Sequence, residues 1–286
     1  MKCFIVTKGD PLRLRVQKVV DFYTLDPTYC CDTKKQRASL MNVGIPKSQI
    51  VITDVGKKSG IQGVSRARDF VCREVMEKGE WSLWIDDNVE MITGLKHKLS
   101  KPKLDFSDAS VDWREEFDKA VSRKDFYRYL KESIARAEDV GSIFCGFATG
   151  NNYFFRANKW QDFGYCRTQL ALYKNDGSSW FPFESMMLED MYKSIDVVCR
   201  YGQVVINRHM KPVKPQFESG GIGSFKKRLP HLKDNCKRLM ELYPGLLKYQ
   251  GNGKQYGMKD ETHFHVTFAK ISPNTVNQWR KENGYA

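Results

Sequence analysis

The first third of the chain alternates between short apolar runs and helical segments, and this alternation limits the possible folds more than any other feature. Runs rich in β-forming residues cover positions 2–7, 49–53 and 81–85. Between them, apolar residues recur at helical spacing over positions 13–23, and a second helix is predicted over about 65–78. Strands that alternate with helices are typical of a parallel sheet covered by helices. The sequence therefore predicts an α/β fold.

Composition and charge indicate a folded, basic protein. Of the 286 residues, 41% are hydrophobic and 13% are aromatic, which excludes a disordered chain and provides for a sizeable core. The formal net charge of +13 suggests a polyanionic partner, most commonly nucleic acid, although an acidic membrane surface or simple solubility would also explain it. No apolar run approaches the ~20 residues of a membrane span, and the N-terminus turns polar too soon for a signal peptide. We therefore expect no membrane association and a location in the cytoplasm, or in the host cytoplasm for a viral protein.

The eight cysteines are scattered along the chain, and none forms a C-x-x-C pair. Several lie in apolar, strand-like runs, as Cys145 does in Ile-Phe-Cys-Gly-Phe. Free cysteine is among the most buried residue types, whereas closely spaced pairs are typical of zinc sites. We therefore expect buried, reduced thiols rather than disulfides or zinc ligands.

The run at positions 81–85 stops on two carboxylates and a carboxamide, Asp86, Asp87 and Asn88. Ligands of open α/β sheets bind at the carboxyl ends of the strands, which is where these side chains are expected. Clustered acids there are costly unless a cation or an arginine neutralises them. Hard divalent cations prefer oxygen ligands, so the sequence favours a metal site that holds a phosphorylated donor. The alternative is a carboxylate pair that caps the next helix.

Two arginines, Arg66 and Arg68, lie at the start of the helix that precedes this strand. Residues two apart on a helix do not share a face, so the two side chains are expected to differ in role. One is predicted to pair with the acidic strand end or with a diphosphate, and the other to be a surface cation. Arginine suits the first role because its planar guanidinium binds two oxygens at once.

The order of these motifs resembles that of the GT-A glycosyltransferases, which use nucleotide-diphosphate sugars. The similar segments, in order, are Ala-Arg-Asp at 67–69, Gly-Glu-Trp at 79–81, Ile-Asp-Asp-Asn at 85–88, Asn-Tyr-Phe-Phe-Arg at 152–156, Trp-Gln-Asp-Phe-Gly at 160–164 and Leu-Glu-Asp-Met-Tyr-Lys-Ser at 188–194. More narrowly, positions 57–88 and Glu-Ser-Gly-Gly-Ile-Gly-Ser at 218–224 resemble the phage-type TET/JBP-associated glycosyltransferases, which are thought to glycosylate 5-hydroxymethylpyrimidines in DNA.

The resemblance implies a GT-A (Rossmann-like) fold, with a mixed, mostly parallel sheet flanked by helices. A nucleotide-sugar-binding and catalytic domain is expected at 1–210, and a basic C-terminal portion at 211–286 is expected to pack on it.

The implied activity is a metal-dependent hexosyl transfer from a nucleotide-diphosphate sugar, such as a UDP-sugar, to a 5-hydroxymethylpyrimidine in DNA, with 5-hydroxymethylcytosine as first choice. The alternatives are a glycosyltransferase acting on saccharide, lipid or protein, and a non-catalytic nucleic-acid-binding protein. A nucleotidyltransferase fits less well, because the glycine-rich and lysine pattern expected near the first strand is missing.

On the donor side, the resemblance implies that Thr7 and Asp54, at the ends of the first two predicted strands, face the nucleotide base and ribose. Arg68 is expected to approach the diphosphate and the acidic strand end, with Arg66 as a second candidate for the donor. Asp86 is expected to contact the ribose or a metal ion.

The metal implied by the resemblance is Mn²⁺ or Mg²⁺, with Asp86, Asp87, Asn88 and His209 as candidate ligands. Asn88 departs from the family pattern, which usually has an acid there, because a carboxamide is a weaker and neutral ligand. His209 is a candidate because several relatives use a later histidine, and the alternative is a structural histidine at a strand end.

On the acceptor side, the resemblance implies that Asp190, or else Glu189, deprotonates the acceptor hydroxyl as a general base. The alternative for this pair is an acidic cluster at a helix start, which the helix dipole favours.

The C-terminal portion is the predicted DNA contact, with a helix expected to start at Pro230. Between positions 221 and 257, eight Lys or Arg residues stand against two acids and are interleaved with aromatic residues. Basic side chains bind phosphates and aromatic rings stack on bases, although a solvated helix face with core aromatics would give the same pattern. The candidate DNA-binding residues are Lys226, Lys227, Arg228, Lys233 and Lys237.

Overall fold

The computed structural model describes residues 1–7, 14–54, 63–94, 119–148, 160–180, 188–214, 225–250, 265–268 and 273–285. Its strands are β1 (Lys2–Val6), β2 (Pro27–Cys31), β3 (Ile50–Ile52), β4 (Trp81–Asp86), β5 (Met91–Gly94), β6 (Lys119–Ala120), β7 (Phe144–Phe147), β8 (Trp160–Gln161), β9 (Leu170–Lys174), β10 (Val205–Asn207), β11 (Met210–Val213), β12 (Leu247–Gln250) and β13 (His265–Phe268). Its helices are α1 (Gln17–Tyr23), α2 (Lys34–Asn42), α3 (Gly63–Glu74), α4 (Arg123–Asp139), α5 (Glu189–Tyr201), α6 (Phe225–Leu242) and α7 (Pro273–Glu282).

The main sheet has eight strands in the order β3-β2-β1-β4-β9-β7-β10-β8. All of them run in one direction except β9, which is antiparallel to both of its neighbours, and the edge strand β8. Two smaller sheets have the orders β11-β5-β6 and β12-β13. The predicted α/β class, with a mixed and mostly parallel sheet flanked by helices, is therefore confirmed.

Helices cover both faces of the main sheet, because side chains along each strand alternate between two cores. Phe4 in β1 and Trp84 in β4 lie in one core, together with apolar residues of α3, α5, α6 and α7. Their neighbours Ile5 and Ile85 lie in the second core, with apolar residues of α1, α2 and α4. All eight cysteines are free and buried, as predicted. Since the central strands are buried on both faces, they are nearly continuous apolar runs in the sequence.

Two predictions about individual elements are wrong. The run at 49–53 forms the third strand rather than the second, and β2 lies between it and β1. Pro230 lies inside α6, which begins at Phe225, so the helix lacks one backbone donor there.

The C-terminal portion shares the first core. Cys236, Leu239 and Tyr243 of α6 and Trp279 of α7 belong to the same buried cluster as Trp84. The predicted boundary between 210 and 211 falls within β11, which pairs with β5. No helix in the described part of the chain is long and apolar enough to cross a bilayer.

Candidate functional site

The strand order changes direction between β1 and β4. From β1 the chain steps outward to β2 and β3, and it then returns to place β4 on the other side of β1. In open α/β sheets, ligands bind in the crevice outside the carboxyl ends of the strands at such a switch point. The register places Val6 opposite Asp86, so Thr7 and Asp87 follow at the same edge. The Thr7 hydroxyl donates to Asp87 Oδ2 at 2.9 Å, which confirms that both side chains lie at this edge.

Arg68 is the central cation of the site and is only 2% exposed. Its Nη2 donates to Asp86 Oδ1 and its Nη1 donates to Glu189 Oε1, both at 3.2 Å. These partners lie 18 and 121 positions away in the sequence. The guanidinium also lies 5.4 Å from the ring centre of Trp180. Arg68 therefore joins α3, the end of β4 and the start of α5 through a buried double ion pair.

Lys214 adds a second cation that the sequence did not identify. It follows β11, and its Nζ lies 3.8 Å from Asp86 Oδ2, the oxygen that Arg68 leaves uncontacted. The position is set by strand pairing, because Val213 O accepts a hydrogen bond from Glu90 N at 2.9 Å. Asp86 therefore lies between a buried guanidinium and a partly exposed ammonium.

Glu189 and Asp190 begin α5 beside Arg68. The preceding residue, Leu188, adopts a left-handed conformation with φ of 72°, which is rare for a branched side chain and is found mostly at functional sites. Burial, together with the neighbouring charge of Asp190, raises the pKa of Glu189 to about 7, although Arg68 opposes this. Asp190 Oδ1 accepts a hydrogen bond from Met191 N at 2.8 Å. The predicted acid pair is thus present at the site, next to the acidic strand end.

On the other side of β1, the neighbouring strand β2 is followed by Asp32, whereas Asp54 follows the more distant β3. Asp54 is exposed after β3 and is separated from β1 by β2, which corresponds to about 10 Å between strands. Asp32 follows β2 directly, and its Oδ1 accepts a hydrogen bond from the Thr53 hydroxyl at 2.8 Å. The sequence missed Asp32 because it missed β2, which begins with Pro27.

The predicted metal ligands do not converge. Asp86 contacts Arg68 and Lys214, and Asp87 accepts a hydrogen bond from Thr7. Asn88 Oδ1 is buried, and no described residue donates a hydrogen bond to it. The His209 ring instead stacks on Tyr129, with 4.6 Å between ring centres. Within the described ranges, no group of three or more His, Cys, Asp or Glu side chains is arranged to hold a metal ion. The described side chains therefore do not fit the predicted Mn²⁺ or Mg²⁺ site, and His209 in particular belongs to an aromatic cluster.

The remaining sequence candidates are Arg66 and the basic residues of α6. Arg66 is half-buried, and the described residues include no ion-pair partner for it. Lys237 is exposed on α6, with Glu241 at 3.9 Å, and Lys233 is half-buried. The side chains of Lys226, Lys227 and Arg228 lie outside the described part of the structure.

Asp69, adjacent to Arg68, holds the segment that contains Ser179 and Trp180. Its carboxylate accepts hydrogen bonds from the Ser179 hydroxyl, at 3.2 Å, and from the Trp180 backbone amide. Trp180 is fully buried and packs against Trp84 in the first core. Burial raises the pKa of Asp69. The Ala-Arg-Asp motif thus provides one side chain to the site and one to its support.

No protein-family model matches the chain, and no curated protein matches it significantly.

Proposed function

We propose that this protein is a glycosyltransferase that moves a sugar from a nucleotide-diphosphate donor to a hydroxyl acceptor. The observation that carries the proposal is buried Arg68, which joins Asp86 at the switch point to Glu189 at the start of α5. These residues come from three separate segments that resemble the GT-A glycosyltransferases. Their contact supports the idea that the segments form one site, with a donor side at β4 and an acceptor side at α5.

The donor's diphosphate is proposed to lie outside the ends of β1 and β4, where Arg68 supplies fixed positive charge. A preorganised cation in a buried setting stabilises charge that develops on a leaving group. Thr7 and Asp32, at the ends of β1 and β2, are the candidates to bind the nucleoside. Asp32 takes the place of Asp54 in this assignment, because β2 is the strand next to β1.

The proposed transfer forms a bond between the acceptor oxygen and the anomeric carbon of the sugar. The bond between that carbon and the diphosphate oxygen breaks, and the nucleoside diphosphate leaves with the electron pair. Asp190 accepts the hydroxyl proton as general base. We assign this role to Asp190 because the Glu189 carboxylate is engaged by Arg68, whereas the one hydrogen bond to Asp190 Oδ1 among the described residues comes from the adjacent Met191 amide.

The proposed acceptor is a 5-hydroxymethylpyrimidine in DNA, with 5-hydroxymethylcytosine as the first choice. The net charge of +13 supports a polyanionic acceptor, because lysine and arginine side chains neutralise phosphates. A base inside a duplex could be presented by extrusion from the stack. The basic helix α6 is the proposed contact, through Lys237 and its neighbours.

The test is mass spectrometry of hydroxymethylated DNA after incubation with a panel of nucleotide sugars. The wild-type protein should add one sugar mass per modified base with at least one donor. Arg68→Ala and Asp86→Ala should lower turnover by at least about 10²-fold, as expected for the loss of a preorganised electrostatic contact. Arg128→Ala is the matched control, because this arginine forms exposed ion pairs within α4.

Different outcomes would reject different parts of the proposal. Equal transfer to an oligosaccharide and to DNA would reject the DNA acceptor but keep the transferase. Full turnover by folded Arg68→Ala and Asp86→Ala would reject the site. Salt-sensitive DNA binding without use of any nucleotide sugar would instead favour a non-catalytic nucleic-acid-binding protein.

A further inference from the structure

The Asp86 carboxylate, at the end of β4, lies next to two cationic side chains. Asp86 has Arg68 on one oxygen and Lys214 next to the other, at 3.2 and 3.8 Å. A divalent cation bound to Asp86 would lie within a few ångströms of both cations, and like charges at that distance repel strongly in a partly buried site. Asn88 contributes no charge, and His209 packs against Tyr129. Asp86 is thus already flanked by two side-chain cations, and a metal ion bound to it would have to share its carboxylate with both.

The two cations differ in what they can still bind. Arg68 is buried, and its Nη1 and Nη2 are both engaged by carboxylates. The Lys214 side chain is 32% exposed, and its ammonium approaches Asp86 without a hydrogen bond, since 3.8 Å exceeds hydrogen-bond length. A lysine ammonium has three donors on a flexible stem. Lys214 can therefore contact Asp86 and still donate to an anion that enters the crevice.

The backbone next to Lys214 is anchored to the donor edge. Val213 pairs with Met91 in the small sheet, and its carbonyl accepts from Glu90 N, so β11 ends at the turn that follows β4. The lysine is therefore held beside the end of β4 through hydrogen bonds that do not involve its own side chain. Its position does not depend on the Asp86 contact alone.

We propose that Lys214 binds the diphosphate of the donor and stabilises it as the leaving group, in place of a divalent metal ion. This inference rests on the proposed glycosyl transfer. When the bond between the anomeric carbon and the diphosphate oxygen breaks, the electron pair stays on that oxygen. Lys214 keeps its protons and donates hydrogen bonds to the diphosphate, while the acceptor proton goes to Asp190.

The test compares wild-type protein, Lys214→Met, Lys214→Arg and Lys174→Met, each with EDTA and with Mn²⁺. Lys174 is the matched control because it is 34% exposed and pairs with Glu138, while its partner in the sheet, Trp81, lies at the opposite end of β4. Binding of uridine diphosphate and guanosine diphosphate is measured by calorimetry, and sugar transfer is measured by mass spectrometry. Circular dichroism confirms that the variants fold.

The expected result is that wild-type protein binds a nucleoside diphosphate and transfers sugar in EDTA. Lys214→Met should weaken that binding at least about tenfold and lower turnover about 10²-fold. Lys214→Arg should recover part of both, and Lys174→Met should match the wild type. A strict requirement for Mn²⁺, together with normal binding and turnover by Lys214→Met, would overturn the role of Lys214 and leave the glycosyltransferase proposal intact. No transfer from any nucleotide sugar, with or without Mn²⁺, would overturn both.

Discussion

Replacing Glu189 by glutamine is expected to stabilise the protein above pH 7 and to change its stability little near pH 4.5. The Glu189 side chain is only 19% exposed, and burial next to Asp190 raises its pKa from 4.5 to about 7 in spite of Arg68. Between these values, the folded state retains a proton that the unfolded state has released. The free energy of unfolding therefore falls as the pH rises through this window.

The magnitude follows from the difference between the two pKa values. At about 1.4 kcal/mol per pKa unit, raising the Glu189 pKa from 4.5 to about 7 corresponds to about 3 kcal/mol. Glutamine does not ionise, so Glu189→Gln removes this cost at high pH and resembles the protonated glutamate at low pH. The two proteins should therefore differ by about 3 kcal/mol near pH 8, with the variant more stable, and by much less near pH 4.5.

The assay is urea unfolding of wild-type protein and of Glu189→Gln at several pH values from 4.5 to 8. Subtracting one free energy of unfolding from the other removes the contribution of the other titrating groups, which both proteins share. Glu132→Gln is the control, because Glu132 forms an exposed ion pair with Arg128 and its loss should cost less than about 1 kcal/mol. A difference between wild type and Glu189→Gln that stays constant across this pH range would refute the raised pKa and the burial that causes it.

Two further predictions concern packing at α5 and β7. Lys193→Met should lower the free energy of unfolding by about 3 kcal/mol or more, because the fully buried Lys193 ammonium donates to Ser178 Oγ at 2.7 Å and to Ser179 O at 3.2 Å. Urea unfolding measures this loss, and a change below about 1 kcal/mol would contradict the prediction. Gly146→Ala should cost about 1–3 kcal/mol, because a Cβ there would lie 2.7 Å from Cys166 Cα; an unchanged thermal unfolding midpoint would contradict it.

The donor edge could be predicted because its strands are continuous in the sequence. β1 and β4 are buried on both faces, so each is a short apolar run, and the polar residues that follow mark the carboxyl ends. The helix that precedes β4 contains Arg68, and its pairing with the acidic strand end was one of two predicted possibilities. Such features depend on local pattern and on the order of elements, both of which are visible in the sequence.

Elements whose local pattern conflicts with their environment could not be predicted in this way. β2 begins with Pro27, which ordinarily marks a loop, although the first residue of a strand tolerates proline. β9 contains Leu and Ala, which favour helices, and pairing with β4 and β7 overrides that preference. Missing β2 led directly to the choice of Asp54 over Asp32.

The cation beside Asp86 depends on strand register, and this explains why the sequence favoured His209 where the structure places Lys214. β11 runs antiparallel to β5, with Met210 opposite Gly94 and Val213 opposite Met91. This register places the residue after β11 at the turn that follows β4, and the residue before β11 about 16 Å away along the strand, at roughly 3.3 Å per residue. Placing His209 beside Asp86 instead of Lys214 would require β11 to pair with β5 in the opposite direction. That pairing would break the hydrogen bond from Glu90 N to Val213 O. Because one pairing decides both positions, support for Lys214 at the donor edge is at the same time evidence against His209 there.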